Sequence, residues 1–133
     1  KPFASETRYV WSINHKPDIK VLNEMASCLR GEIDCAAFAA SGDQSLSTKR
    51  YIDNAHFFME GRNLVFEIEA NAFLWRMVRS LTGSLIHFEK TGKSPEYFKQ
   101  VLESCDRKKA GPTAPATGLF LYEIKFDGIR RHV

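Results

Sequence analysis

The stretch "RYIDNAHFFMEGRNLVFEIEA", residues 50–70, constrains the fold more than any other part of the chain. Two runs, Arg50–Met59 and Asn63–Ala70, are rich in β-branched and aromatic residues and flank Glu60-Gly61-Arg62. That is the pattern of a β-hairpin. In the second run Leu64, Phe66 and Ile68 alternate with Val65, Glu67 and Glu69. Successive strand side chains point to opposite faces, so this strand buries one face and keeps the other wetter, as antiparallel sheets do. The rest of the chain must then pack on the buried face.

The flanking patterns supply what packs there. Tyr9–Asn14, rich in aromatic and β-branched residues, reads as another strand. From Asp18 to Arg30, Val21, Leu22, Met25, Cys28 and Leu29 fall at helical spacing, with Gly31 as the stop. Asp34 reads as the N-cap of a short helical turn. Residues 71–86, "NAFLWRMVRSLTGSLI", read as a helix that Asn71 opens and that runs to about Glu89. A further helix starts with Ser94 as N-cap and Pro95 in the first turn. A long loop with Gly111, Pro112 and Pro115 leads to a final strand, Gly118–Phe126. Both kinds of element occur without regular βαβ alternation. The expectation is an α+β fold, an antiparallel sheet with helices packed on one face, as a single domain over residues 1–133.

Composition narrows the class. With 44% hydrophobic and 26% charged residues, the chain can bury a core and is not a disordered tail. No apolar run is long enough for a bilayer, and "KPFASETRYVW" has no signal-peptide pattern. The sequence does not open with Met and reads as a piece of something longer. Three cysteines match no zinc or redox spacing. They read as small buried thiols of a reducing, cytoplasmic compartment. The four histidines form no metal-ligand pairs. A net charge of +3 permits an RNA partner without requiring one. The cations are bunched, at Lys49–Arg50, at Arg76 and Arg79, and over residues 107–109.

Arg76 and Arg79 lie three apart in an apolar helical pattern and so share one edge. On a wheel of about 100° per residue, Phe73, Leu74, Met77, Val78, Leu81 and Leu85 fill the core arc. Arg79 falls between Ile86, Trp75 and Gly83, with Arg76 beside Gly83. A glycine there leaves room for a backbone or a ligand. Arg79 either snorkels to water or is a half-buried guanidinium awaiting a carboxylate or phosphate. Unpaired burial is costly, and spacing offers no local partner.

These residues carry a resemblance. "EIEANAFLWRMVRSLTGSLI" followed by "DRKKAGPTAPATGLFLYEIKF" resembles the C-terminal half of the tRNA pseudouridine synthase A family. That family shows a strand ending in N-A/G-F-L, then M-V-R-x-(L/I)-x-G-x-L, then A-G-P-T-A-P-x-x-G-L-x-L. Here these are Asn71–Leu74, Met77–Arg79 with Gly83 and Leu85, and Ala110–Leu121. "GEIDCAAF", residues 31–38, is similar to the family's G-x-H-D-F-x-x-F element, with Ile33 for His and Cys35 for Phe. Trp75-Arg76 stands where the family usually has His-His.

The resemblance implies half of a pseudouridine synthase fold. The family's nucleophilic Asp lies in a G-R-T-D-x-G-V-H motif, which this sequence lacks, as it lacks the substrate-stacking Tyr of an R-Y-x-Y strand. The activity implied is isomerisation of uridine to pseudouridine in the tRNA anticodon stem-loop. Arg79 would support the Asp, and Phe73, Met77 and Leu119 would cradle the uracil. Lys49, Arg50, Arg76, Lys108 and Lys109 are the candidates for phosphate contact. The family implies no cofactor and no metal, tRNA as partner, and a homodimer. The chain alone would be inactive. The alternatives are a non-catalytic RNA-binding module, stacking bases on exposed Tyr51, Phe57 or Phe66, and a dimerisation module.

Overall fold

A computed structural model describes the backbone of residues 3–13, 15–40, 42, 45–125 and 130–132, and the side chains of 6–13, 15–40, 42 and 45–119. The expected hairpin forms from β3 (Lys49–Glu60) and β4 (Asn63–Ala70), with β1 (Phe3–Ser12) on the far side of β4. β5 (Leu119–Lys125) pairs with β1, and β6 (Arg130–His132) closes that edge. β2 (Gly31–Asp34) closes the other, giving the antiparallel order β2-β3-β4-β1-β5-β6. The last residue of the expected final strand, Phe126, lies outside the described residues.

Register sorts the side chains. Tyr9, Phe66 and Phe57 stand opposite one another across three strands, as do Thr7, Ile68 and Ala55, and all six are buried. The Phe57 and Phe66 rings stack at 4.5 Å between centroids. On the other face Glu67 pairs with the Arg8 guanidinium and lies 3.2 Å from His56 Nε2. That face is wetter but not uniformly so, since Val65 is fully buried between its register partners Val10 and Phe58. Burial of Phe57 and Phe66 leaves only Tyr51 exposed among the three aromatics that an open stacking face would use.

Three helices cover the buried face: α1 (Ile19–Ser27), α2 (Met77–Lys90) and α3 (Pro95–Ser104). Asp18 caps α1 by accepting from Val21 N at 3.2 Å, and Leu22, Met25 and Leu29 are fully buried. Asn23 turns its amide to the edge of β3 beyond β2. It accepts from Phe57 N at 2.7 Å and donates to the Phe57 carbonyl at 3.1 Å. This closes a strand edge that would otherwise stand open. α3 starts as expected, with Tyr97 N donating to Ser94 Oγ at 3.2 Å.

Three expectations are corrected. The apolar helix opens at Met77, not Asn71. Asn71 instead prolongs the hairpin: it donates from its N–H to the Tyr51 carbonyl at 3.1 Å and accepts from Tyr51 N on its side chain at 3.0 Å. Residues 71–76 therefore cross the sheet end, and Arg76 turns the chain into α2 with φ 59°. The wheel positions of Phe73 to Arg76 do not hold. Residues 31–34 are a strand rather than the approach to a helix; the helical turn is Ala36–Phe38. Asp34 still serves it, accepting from Ala36 N at 3.0 Å. Of the cysteines only Cys35 is buried, while Cys28 is partly exposed and Cys105 exposed. Among the described residues no helix is long and apolar enough to cross a membrane.

Candidate active site

Helix α2 is buried almost all round, and the reason lies in a distant loop. Residues 110–114 run along α2, and residues 115–118 carry the loop on to β1. Gly111 N donates to the buried Ser84 hydroxyl at 2.8 Å. A Cβ at Gly83 would sit 1.9 Å from the Pro112 carbonyl oxygen and 2.7 Å from Ala114 N. The room that this glycine leaves is filled by the chain's own backbone. Ala114, fully buried, donates from its N–H to the Arg79 carbonyl at 3.0 Å. Arg79 Nε donates back to the Ala114 carbonyl at 2.9 Å. The Tyr9 hydroxyl donates to the Pro115 carbonyl. At Gly118 a Cβ would lie 2.2 Å from the Val10 carbonyl oxygen. Proline offers no N–H, and here the carbonyls of Pro112 and Pro115 make the contacts.

The clasp positions Arg79. Its side chain is half-buried, and Nε is committed to Ala114. Among the described residues the two terminal nitrogens make no hydrogen bond or ion pair. Arg79 lines a cleft of about 340 Å³ with Phe73, Met77, Leu119 and Thr7, within the size range of small-molecule sites. Met77 is fully buried, and Phe73 and Leu119 are half-buried. The four residues that the family resemblance would give to a uridine cradle and its arginine thus line one cavity. Burial raises the Tyr9 phenol above its ordinary range, and the positive charge of Arg79 partly opposes this. Thr7 was not foreseen. Its fully buried hydroxyl has no hydrogen-bond partner among the described residues. The signal was weak, because the strand reading began at Tyr9, two residues later on the same face.

The basic residues divide. Arg76 lines both this cleft and an adjoining cavity of about 290 Å³, whose wall includes Arg107 and Ser80. Arg107 also lines a third cavity, of about 500 Å³, with Lys108 and Thr48. Arg107 was visible in the basic run but not singled out there. Lys109 is exposed and Lys49 sits exposed at the start of β3; neither lines these cavities. Arg50 folds back, its Nη1 donating to the carbonyls of Ser47 and Lys49, each at 2.7 Å.

Known proteins supply the class. The family model for tRNA pseudouridine synthase matches residues 25–127. The chain is 59% identical over 124 residues to tRNA pseudouridine synthase A of Treponema denticola, covering 93% of this chain and 46% of that protein. It is 51% identical over 110 residues to the protein of that name in Treponema pallidum, covering 83% of this chain and 39% of the relative. For the one in Borreliella burgdorferi the values are 36% over 129 residues, 92% and 52%. The chain belongs to the tRNA pseudouridine synthase A family. It spans about half the length of the curated relatives it matches.

Proposed function

We propose that this chain is the C-terminal half of a tRNA pseudouridine synthase that isomerises uridine to pseudouridine in the anticodon stem-loop. The observation that carries the reading is Arg79, held by Ala114 at Nε and lining a largely apolar cleft with its terminal nitrogens uncommitted among the described residues. A guanidinium so held is suited to a bidentate carboxylate. Its charge would keep that carboxylate ionised and fix its orientation. The carboxylate would belong to the Asp motif absent from this sequence, acting as nucleophile or base while the N-glycosidic bond breaks and re-forms through carbon. The uracil must leave its stack to react, and Phe73, Met77 and Leu119 form the apolar wall it would meet. Of the candidates for phosphate contact, Lys49, Arg50, Arg76, Lys108 and Lys109, the cavity linings favour Arg76 and Lys108, whereas the Arg50 guanidinium is turned to the Ser47 and Lys49 carbonyls and Lys109 lines none of the three cavities. The same reading makes the working protein a cytoplasmic homodimer without metal or cofactor.

The test is pseudouridine measured by mass spectrometry in unmodified tRNA. The chain alone should form none. Joined to the segment that carries the Asp motif it should turn over. Turnover by the chain alone would overturn the half-site reading.

A further inference from the structure

We propose that Trp75 and Arg76 form a stacking platform for an unpaired nucleobase beside the one that enters the Arg79 cleft, with Arg107 and Lys108 taking the phosphates beyond it. The inference rests on the reading that this chain handles RNA. Trp75 is 56% exposed at the rim of the cleft. The guanidinium carbon of Arg76 lies 4.8 Å from the indole centroid, within cation–π range. The pair is exposed yet held: the Trp75 carbonyl accepts from Ala40 N at 3.3 Å and the Arg76 carbonyl from Ser80 N at 3.0 Å. Arg76 keeps a left-handed backbone, φ 59°, without a side-chain capping bond. That conformation is uncommon for a long side chain, and such residues gather at ligand clamps and switches.

Position supplies the second argument. Arg76 belongs to the wall of the cleft and of the cavity beside it, and Arg107 to that cavity and the next, which Lys108 also lines. A cationic track thus leaves the cleft at the indole. The nearby acid, Asp106, is turned to its own backbone, accepting from Lys108 N at 3.0 Å. An exposed aromatic followed by a line of cations is the chemistry of single-stranded RNA, where bases stack on aromatic and guanidinium planes and phosphates pair with Arg and Lys. A protein docking on an apolar patch would not call for the track.

The chain has two tryptophans, so a Trp11→Phe background leaves Trp75 as sole reporter. We would titrate a short oligouridylate, and an abasic oligomer of equal length, at low salt, reading anisotropy for binding and indole fluorescence for stacking. Oligouridylate should quench Trp75 and the abasic oligomer should not. Trp75→Ala should weaken oligouridylate about tenfold, within the range of one stacked base, and leave the abasic oligomer unchanged. Trp75→Phe should retain most of the affinity. Binding without quenching, or equal losses for both oligomers, would overturn the platform while leaving the RNA reading intact. No binding of either oligomer would overturn both. Quenching that survives Arg79→Ala supports the platform even if Arg79 proves unnecessary for catalysis.

Discussion

Arg79 and Ala114, 35 residues apart, exchange hydrogen bonds in both directions, main chain to main chain and side chain to main chain. The exchange joins the first turn of α2 to the middle of the loop that precedes β5. It answers why an apolar helix keeps a guanidinium: one edge of the group is a structural donor, and the other lines the cleft. Removing the side chain should therefore have two separable effects. Arg79→Ala leaves the buried Ala114 carbonyl without its donor. Loss of a hydrogen bond to a charged group should lower stability by about 1.5–3 kcal/mol, read by urea denaturation. In the active protein, the proposed loss of the Asp's counter-charge should slow single turnover by at least about tenfold, a barrier rise of about 1.4 kcal/mol. Binding of tRNA should change much less. Arg79→Lys should recover only part of either, because an ammonium has no planar fork. Normal turnover with weakened tRNA binding would make Arg79 a phosphate contact instead.

Gly83→Ala should destabilise despite alanine's better helix propensity. The propensity gain is about 1 kcal/mol. Against it stands a Cβ placed 1.9 Å from one backbone atom and 2.7 Å from another. Neither is the end of a flexible side chain, so the loop must shift. Overpacking of this kind costs about 1–3 kcal/mol or more, and loss of the 110–118 clasp adds to it. A lower urea midpoint with unchanged slope is the expected result. A midpoint at or above that of the parent would mean that the loop does not rest on α2.

What the sequence made legible follows from range. Period-two alternation over residues 63–70, the helical stripe that follows Asp18 and the cap at Ser94 are local signals, and the corresponding elements form. β2 was missed because four residues carry no period of their own, and "GEID" is a strand only through its pairing with Lys49–Ile52. The start of α2 was misread because residues 72–75 are as apolar as a helix would be. What stops the helix is the pair of cross-strand bonds that Asn71 and Tyr51 exchange. The cleft was legible as a set of residues through family resemblance, but its construction was not. Ala114 as the partner of Arg79, and the backbone beside Gly83, come from a loop some thirty residues downstream. No helical wheel contains them.

Thr7→Val should be neutral or stabilising. The Thr7 hydroxyl is buried without a partner among the described residues, and replacing an unpartnered polar group by an apolar one of the same shape removes its desolvation penalty, about 1–3 kcal/mol at most. Thermal denaturation measures it. A clear fall in Tm would reveal a hydrogen bond made by Thr7 in solution.

Burial, reinforced by the negative charge of Asp34, pushes the Cys35 thiol from 9.0 to about 12, with Arg50 partly opposing. In the native chain at pH 8 a thiol reagent should label Cys105 and Cys28 and spare Cys35; all three should react in denaturant. The linkage has a definite sign. Above pH 9 the unfolded state loses the Cys35 proton while the folded state retains it. The folded state then binds more protons, so stability falls as pH rises from about 9 towards 12. Cys35→Ala should flatten that part of the stability profile. An unchanged alkaline slope, or prompt labelling of native Cys35, would contradict the assignment.

The basic residues should differ in their effect on salt dependence. Each phosphate contact contributes a slope of about −0.7 to −0.9 in log K against log salt. Arg107 lines two successive cavities and Lys108 one, whereas Lys109 lines none of them. The guanidinium of Arg50 is held by the carbonyls of Ser47 and Lys49. Arg107→Ala and Lys108→Ala should each flatten the slope by nearly one unit. Lys109→Ala and Arg50→Ala should leave it nearly unchanged, although all four substitutions remove one formal charge. Diffuse attraction to a basic surface would instead weaken binding similarly in all four variants. Filter binding of tRNA at four salt concentrations separates the two patterns. Four equal changes in slope would mean that the cavities do not guide the strand.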